Sequence, residues 1–124
     1  MSNPFLDILQ KQPPPTDARQ PALNVLQELC QAVEAYAQGG LKCAVVLGYP
    51  TSYGQEYRVV IRSTRTGQEH TLFRAYIPLT GRDMKLELYD FSMVDCPDED
   101  ALRENLKLFL AREETRDTIR TYAR

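Results

Sequence analysis

The sequence predicts an α+β fold: a two-layer sandwich in the order helix, four-stranded antiparallel meander, helix, with both helices on one face of the sheet and an N-terminal tail ahead of them. Three observations carry it. Residues 22–36 repeat apolar side chains at helical spacing, residues 56–77 hold two alternating runs joined by a glycine turn, and residues 96–110 join an acidic start to a second helical stripe. The chain then divides into a tail over residues 1–20 and a single α+β domain over 21–124.

The tail begins MSNPFLDILQKQPPPTDARQ. Asn3 suits an N-cap with Pro4 at the first helical position, so residues 4–12 are expected to make two turns with Phe5, Ile8 and Leu9 on one side. Leu6 completes this apolar cluster, and Pro13, Pro14 and Pro15 end the helix and impose an extended spacer. Burying four hydrophobes barely offsets the entropy of ordering about nine residues, at roughly 1 kcal/mol or more each. A helix this short does not persist alone in water. The segment is therefore expected to be either disordered or docked, in cis or on another chain.

From Pro21 onward, Ala22, Val25, Leu26, Leu29, Val33 and Tyr36 mark the buried side of a helix, with Asn24, Gln27, Glu28, Gln31 and Glu34 opposite. Gly39 and Gly40 are expected to supply its left-handed C-terminal cap. LKCAVVLGY (41–49) is nearly all apolar, as for a strand covered on both faces, and EYRVVIRS (56–63) alternates. Between them PTSYGQ reads as a hairpin loop. Arg65, Thr66 and Gly67 form a three-residue loop that sets Thr64 opposite Gln68. That register puts Tyr57, Val59, Ile61, Phe73, Ala75 and Ile77 on an inner face, and Arg58, Arg62, His70, Arg74 and Tyr76 on an outer one with Val60 and Leu72. After a turn at 79–83, Met84, Leu86 and Leu88 continue the inner face, while Lys85, Glu87 and Tyr89 continue the outer. Pro97 opens the last helix with Asp98, Glu99 and Asp100 in its first turn, where the dipole favours negative charge. Its stripe of Leu102, Leu106, Phe109 and Leu110 fails at Glu113 and Glu114. The helix is expected either to break within 111–116 or to face something new beyond them.

Bulk composition excludes several function classes. With 124 residues, 43% hydrophobic and 26% charged, the chain builds one core without staples. A net charge of −2 provides no general field toward nucleic acid or anionic lipid. No apolar run approaches the roughly 18 residues of a membrane span, and the N-terminus has no secretory pattern, so a cytoplasmic protein is expected. Three cysteines without paired spacing, and one histidine, argue against a disulfide framework and a zinc site. No metal and no cofactor are expected.

The outer sheet face holds most of the candidate chemistry. Arg58, Arg62 and Arg74 stand there with Tyr76, Tyr89 and His70, a mixture that single-stranded nucleic acid binding uses. Residues 55–82 carry five arginines against two glutamates, but residues 83–104 answer with eight acids against two bases. Cross-strand ion pairing on a solvated face therefore competes with anion or nucleic-acid contact. A sheet with helices on one side leaves the other wet or covered, and Val60, Leu72, Tyr76 and Tyr89 are apolar enough to be covered.

The remaining candidates read more simply as structure. Cys96 sits at a helix start, which lowers a thiol pKa, but the surrounding acids cancel that effect. Cys30 and Cys43 fall on apolar faces and read as core. The run DCPDED lacks the glycine and distal glutamate of a calcium loop.

The function expected is a non-enzymatic protein-interaction module, adaptor or chaperone-like and dimeric. Its contact surfaces are the outer sheet face (Val60, Leu72, Tyr76, Tyr89) and the tail (Phe5, Leu6, Ile8, Leu9), with a homodimer or a protein partner and no membrane. Two alternatives stand beside it. One is a single-stranded nucleic-acid-binding accessory protein using Arg58, Arg62 and Arg74. The other is a small enzyme or ligand-binding domain in which Tyr49, Tyr53 and Tyr57 rim a pocket; no catalytic residue is assigned.

Overall fold

A computed structural model describes residues 3–11 and 16–124. The tail contributes α1 (Pro4–Lys11), and the domain begins with α2 (Gln20–Ala37). The strands β1 (Leu41–Thr51), β2 (Gly54–Ser63), β3 (Glu69–Ile77), β4 (Met84–Glu87) and β5 (Met93–Cys96) form one antiparallel sheet in chain order. The chain closes with α3 (Glu99–Ala111) and α4 (Glu113–Ala123). Both expected helices lie on one face of the sheet, the second as the pair α3 and α4. Their buried residues Val25, Leu26, Leu29, Leu102, Leu106, Phe109 and Ile119 share a core with Tyr57, Val59, Ile61, Phe73, Ala75, Ile77, Met84, Leu86 and Leu88. The α+β sandwich and the inner face stand as the side-chain pattern predicts. Phe73 and Phe109 meet edge to face across the layers, 5.4 Å between ring centres.

The sheet has one strand more than expected. Met93–Cys96 pairs with β4, from Met84 opposite Cys96 to Glu87 opposite Met93. Four residues are too few for a persuasive alternation, and the turn that creates the hairpin depends on local side-chain bonding. Asp90 accepts from the Ser92 N–H and hydroxyl at 3.2 and 2.6 Å, while Phe91 takes a positive φ of 61°. The last helix accordingly starts later than expected: Asp98 is its N-cap and accepts from the Ala101 N–H at 2.8 Å. It breaks at Arg112, whose extended backbone (ψ 136°) separates α3 from α4. The failed apolar stripe is thus a real break. α4 turns Thr115 and Ile119 into the core, and its end comes so close to β1 that a Cβ on Gly40 would lie 2.1 Å from the Ala123 carbonyl oxygen.

Three local expectations need correction. The left-handed cap of α2 is Gln38 (φ 51°) followed by Gly39 (φ 85°), one residue earlier than the glycine pair suggests. β1 is an edge strand, not a strand covered on both faces; of residues 41–49 only Leu41 is buried, and Leu47 and Tyr49 are 67% and 80% exposed. The β2–β3 hairpin closes with Ser63, not Thr64, bonded to Gln68. Thr64 is drawn outward instead, its N–H and hydroxyl donating to the Gly40 and Gly39 carbonyls at 3.1 and 2.9 Å. A bulge between Val59 and Val60 then restores the expected register from Val59 opposite Phe73 onward. The inner set survives because it lies mostly beyond the bulge.

The tail helix forms as the capping residue predicts: Asn3 Oδ1 accepts from the N–H groups of Phe5 and Leu6 at 2.9 and 3.3 Å. It buries nothing. Phe5, Leu6, Ile8 and Leu9 are 50% or more exposed. The spacer of Pro13, Pro14 and Pro15 lies outside the described residues. Past it, Ala18 donates to the Leu79 carbonyl at 2.8 Å, anchoring the approach to α2 on the β3–β4 turn.

Two stability predictions follow from these contacts. Gly81 has φ +69°, and a Cβ there would lie 2.2 Å from the Ala18 carbonyl oxygen; urea unfolding of Gly81→Ala is expected to show a loss of about 1–3 kcal/mol. A chain beginning at Gln12 is expected to unfold within about 0.5 kcal/mol of the full chain, because α1 contributes no burial.

Candidate interaction surface

The strand registers determine what the uncovered sheet face displays. Side chains alternate, so β1 presents Lys42, Ala44 and Val46 beside Arg62, Val60 and Arg58 of β2. Across β3 and β4 the same face continues with Glu69, Thr71, Arg74, Tyr76, Lys85 and Glu87. Arg58, Arg62 and Arg74 are therefore together on the outer face, as are Val60 and Tyr76.

Leu72 and Tyr89 are not there. The extra residue of the bulge turns Leu72 inward beside Phe73, both 2% exposed, and brings His70 opposite the inward Ile61. His70 consequently lies on the helix side, its ring stacked on Tyr122 of α4 at 5.2 Å. Tyr89 follows the end of β4 and leans toward Phe109, 6.1 Å between ring centres. His70, Leu72 and Tyr89 together line a recess of about 240 Å³ with Phe109, Glu114, Thr115 and Thr118. No alternation rule finds this cluster, because a bulge and a turn create it.

Opposite charges are set across the strands of the outer face, but only Lys85 makes a close pair there. Arg62 stands opposite Glu69, and Arg74 opposite Glu87. Lys85 pairs with Asp95 at 2.5 Å. Arg58 faces Arg74 directly, its nearest carboxylate is Glu56 at 3.9 Å, and its buried Nε has no acceptor. Tyr76 donates to Glu87 Oε2 at 2.6 Å, and Tyr53 folds from the β1–β2 turn onto its ring, 5.8 Å between centres. Burial and the neighbouring Glu87 carboxylate push the Tyr76 phenol up to about 12.

The tyrosine-rich segment does not form a pocket rim. Ser52 and Tyr53 make a tight turn between Thr51 and Gly54, so strand alternation sends the rings apart. Tyr57 is buried in the core, Tyr53 covers Tyr76, and Tyr49 is 80% exposed.

The outer edge of β1 is open. Thr64 N–H donates to the Gly40 carbonyl, and Leu41 pairs with Ser63. Antiparallel alternation then turns the backbone groups of residues 42, 44 and 46 toward β2, and those of 43, 45 and 47 away from it. The Cys43 N–H is taken up by Glu34 Oε1 at 2.8 Å. Val45 and Leu47 direct theirs outward beside exposed Ala44, Leu47 and Tyr49. Sequence reasoning missed this edge because an apolar run looks the same in a central strand as in an uncovered one.

Of the three cysteines, Cys96 is fully buried on β5, with Asn105 Nδ2 3.6 Å from its sulfur; burial pushes its thiol up. Cys30 and Cys43 lie side by side, Sγ to Sγ 3.0 Å. Among the described residues no group of three or more Cys, His, Asp or Glu side chains is arranged to hold a metal, and no helix is long and apolar enough to cross a membrane.

Two pH dependences follow. Burial lowers the His70 pKa from 6.5, so the folded state resists protonation and loses stability relative to the unfolded chain as pH falls through 6.5. An NMR titration of this sole imidazole should show a midpoint below 6.5 that moves upward in Tyr122→Ala. Tyr76 has the opposite consequence: its raised pKa keeps the folded phenol protonated while the unfolded one ionises near 10, so stability falls between pH 10 and about 12. Tyr76→Phe should remove that part of the alkaline loss in unfolding curves. Compared with known proteins, the chain matches no family model, no curated protein and no solved structure.

Proposed function

We propose that the protein is a non-enzymatic interaction module, adaptor or chaperone-like, that works as a homodimer through the β1 edge and the adjoining outer sheet face. The open edge carries the reading. β1 is eleven residues long, lies at the end of the sheet, and exposes Ala44, Leu47 and Tyr49. Monomeric proteins blunt such edges with charge, proline or covering segments, and here Lys42 and Pro50 stand only toward its two ends. Antiparallel pairing of β1 with a second β1 would satisfy the outward backbone groups of Val45 and Leu47. It would also extend each five-stranded sheet into one continuous sheet. The bare face with Val46 and Val60 adjoins this seam, and the exposed apolar side of α1 supplies a second contact element for a protein partner.

Glu69 and Glu87, set opposite Arg62 and Arg74 on the same face, weigh against a nucleic-acid role, since interspersed carboxylates lower that face's attraction for phosphate. The separation of Tyr49, Tyr53 and Tyr57 weighs against a ligand pocket in the tyrosine segment.

Sedimentation of the full chain at micromolar concentration is expected to give a dimer. Ala44→Lys with Leu47→Lys, both at exposed positions, should give a monomer whose unfolding midpoint, extrapolated to infinite dilution, is unchanged. A monomeric wild type would overturn the reading. Salt-dependent binding of single strands that is lost in Arg58→Ala would replace it with the nucleic-acid alternative.

A further inference from the structure

We propose that Cys30 and Cys43 form a dithiol site that reacts with a small, cationic disulfide, Cys30 as the attacking sulfur and Cys43 as the resolving one. The two residues come from different elements, α2 and β1, and are separated by thirteen positions. Packing of that helix on the edge strand brings their sulfurs to 3.0 Å. A disulfide requires about 2.05 Å, so the two sulfurs need approach by only roughly one ångström to bond. Both cysteines line an open groove of about 300 Å³, with Gln27, Gln31 and Glu34 on the helix side and Val45 on the strand side. The groove opens beside the β1 edge, so a small reactant reaches these sulfurs on a chain whose edge is unpaired. The Cys43 backbone is held in place by its N–H donating to Glu34 Oε1 at 2.8 Å.

The 3.0 Å contact lets one sulfur resolve a mixed disulfide on the other, and the hydrogen bond between the thiols favours Cys30 as the attacking one. Cys43 S–H donates to Cys30 Sγ, which holds the Cys30 thiol below its ordinary range against the opposing effects of burial and Glu34, and pushes Cys43 above it. The thiolate is the nucleophile in exchange. Cys30 thiolate attacks one sulfur of the reactant, forms a mixed disulfide and expels one small thiolate, which takes up a proton. Cys43 then loses its proton to solvent or to a second small thiolate and attacks the Cys30 sulfur. The protein disulfide forms and the other half of the reactant leaves as a thiol. Two protein thiols are oxidised, and one external disulfide is reduced to two thiols. Glu34, the one charged side chain on the groove, favours a reactant bearing positive charge, such as cystamine.

The test uses the full reduced chain with cystamine at neutral pH without oxygen. Mass spectrometry is expected to find the Cys30–Cys43 cross-link, a free Cys96, and no retained cysteamine. The cross-link should form at least about tenfold faster than Cys96 is modified, and that preference should vanish in the urea-unfolded chain. Cys43→Ser should accumulate a stable cysteamine adduct on Cys30, and Cys96→Ser should behave as wild type. If Cys43→Ser does not fold, acid quenching of the native chain at early times should find the mixed disulfide on Cys30 instead. Retained adducts on the native chain, cross-links that include Cys96, or a mixed disulfide on Cys43 would each overturn the proposal.

Discussion

Only one face of the sheet is covered, and the arrangement of everything else depends on that asymmetry. Val59, Ile61, Phe73, Ala75 and Ile77 are almost inaccessible because α2, α3 and α4 all pack against the same side of the meander. The apolar area removed from water there is the main stabilising term for a domain of this size. The break at Arg112 serves the same end. A straight helix would carry Ile119 away from the core, whereas the turn into α4 returns it. The opposite face is consequently left to side-chain pairing, with carboxylates set against lysine and arginine and Tyr53 laid over Tyr76.

A single inserted residue redistributes chemistry between those faces. The bulge at Leu72 moves His70 from an exposed arginine-rich surface to a half-buried stack on Tyr122, and it converts Leu72 from a contact residue into core. Near the hairpin loop the cause is local: Thr64 bonds to the Gly39–Gly40 turn in preference to Gln68. The arginines escape this rearrangement because their partners lie on either side of the inserted position. Arg58 still opposes Arg74 at a cost in repulsion, with Glu56 as its nearest carboxylate at 3.9 Å.

Legibility in the sequence tracked the length and regularity of each pattern. The six-residue stripe of α2 needed no tertiary information except at Tyr36, which stays 47% exposed beside α4, its hydroxyl accepting from Arg120 Nε at 2.8 Å. The inner residues of β2, β3 and β4 were readable because alternation over several residues has one burial solution. β5 was not, since four residues give too little alternation to separate a strand from a helix lead-in. The edge position of β1 was not either: apolar content reports a capacity for burial, while burial itself depends on how many strands and helices arrive.

The sequence by itself determined the α+β class, the inner face, the capped tail helix and the end of the last helical stripe, because all of these follow from local periodicity and capping chemistry. Tertiary structure alone decided which strand is the edge, which side His70, Leu72 and Tyr89 take, and that Cys30 meets Cys43 at 3.0 Å. These depend on strand order, a one-residue register shift and the approach of a helix to a strand, and each is set by contacts between residues far apart in the chain.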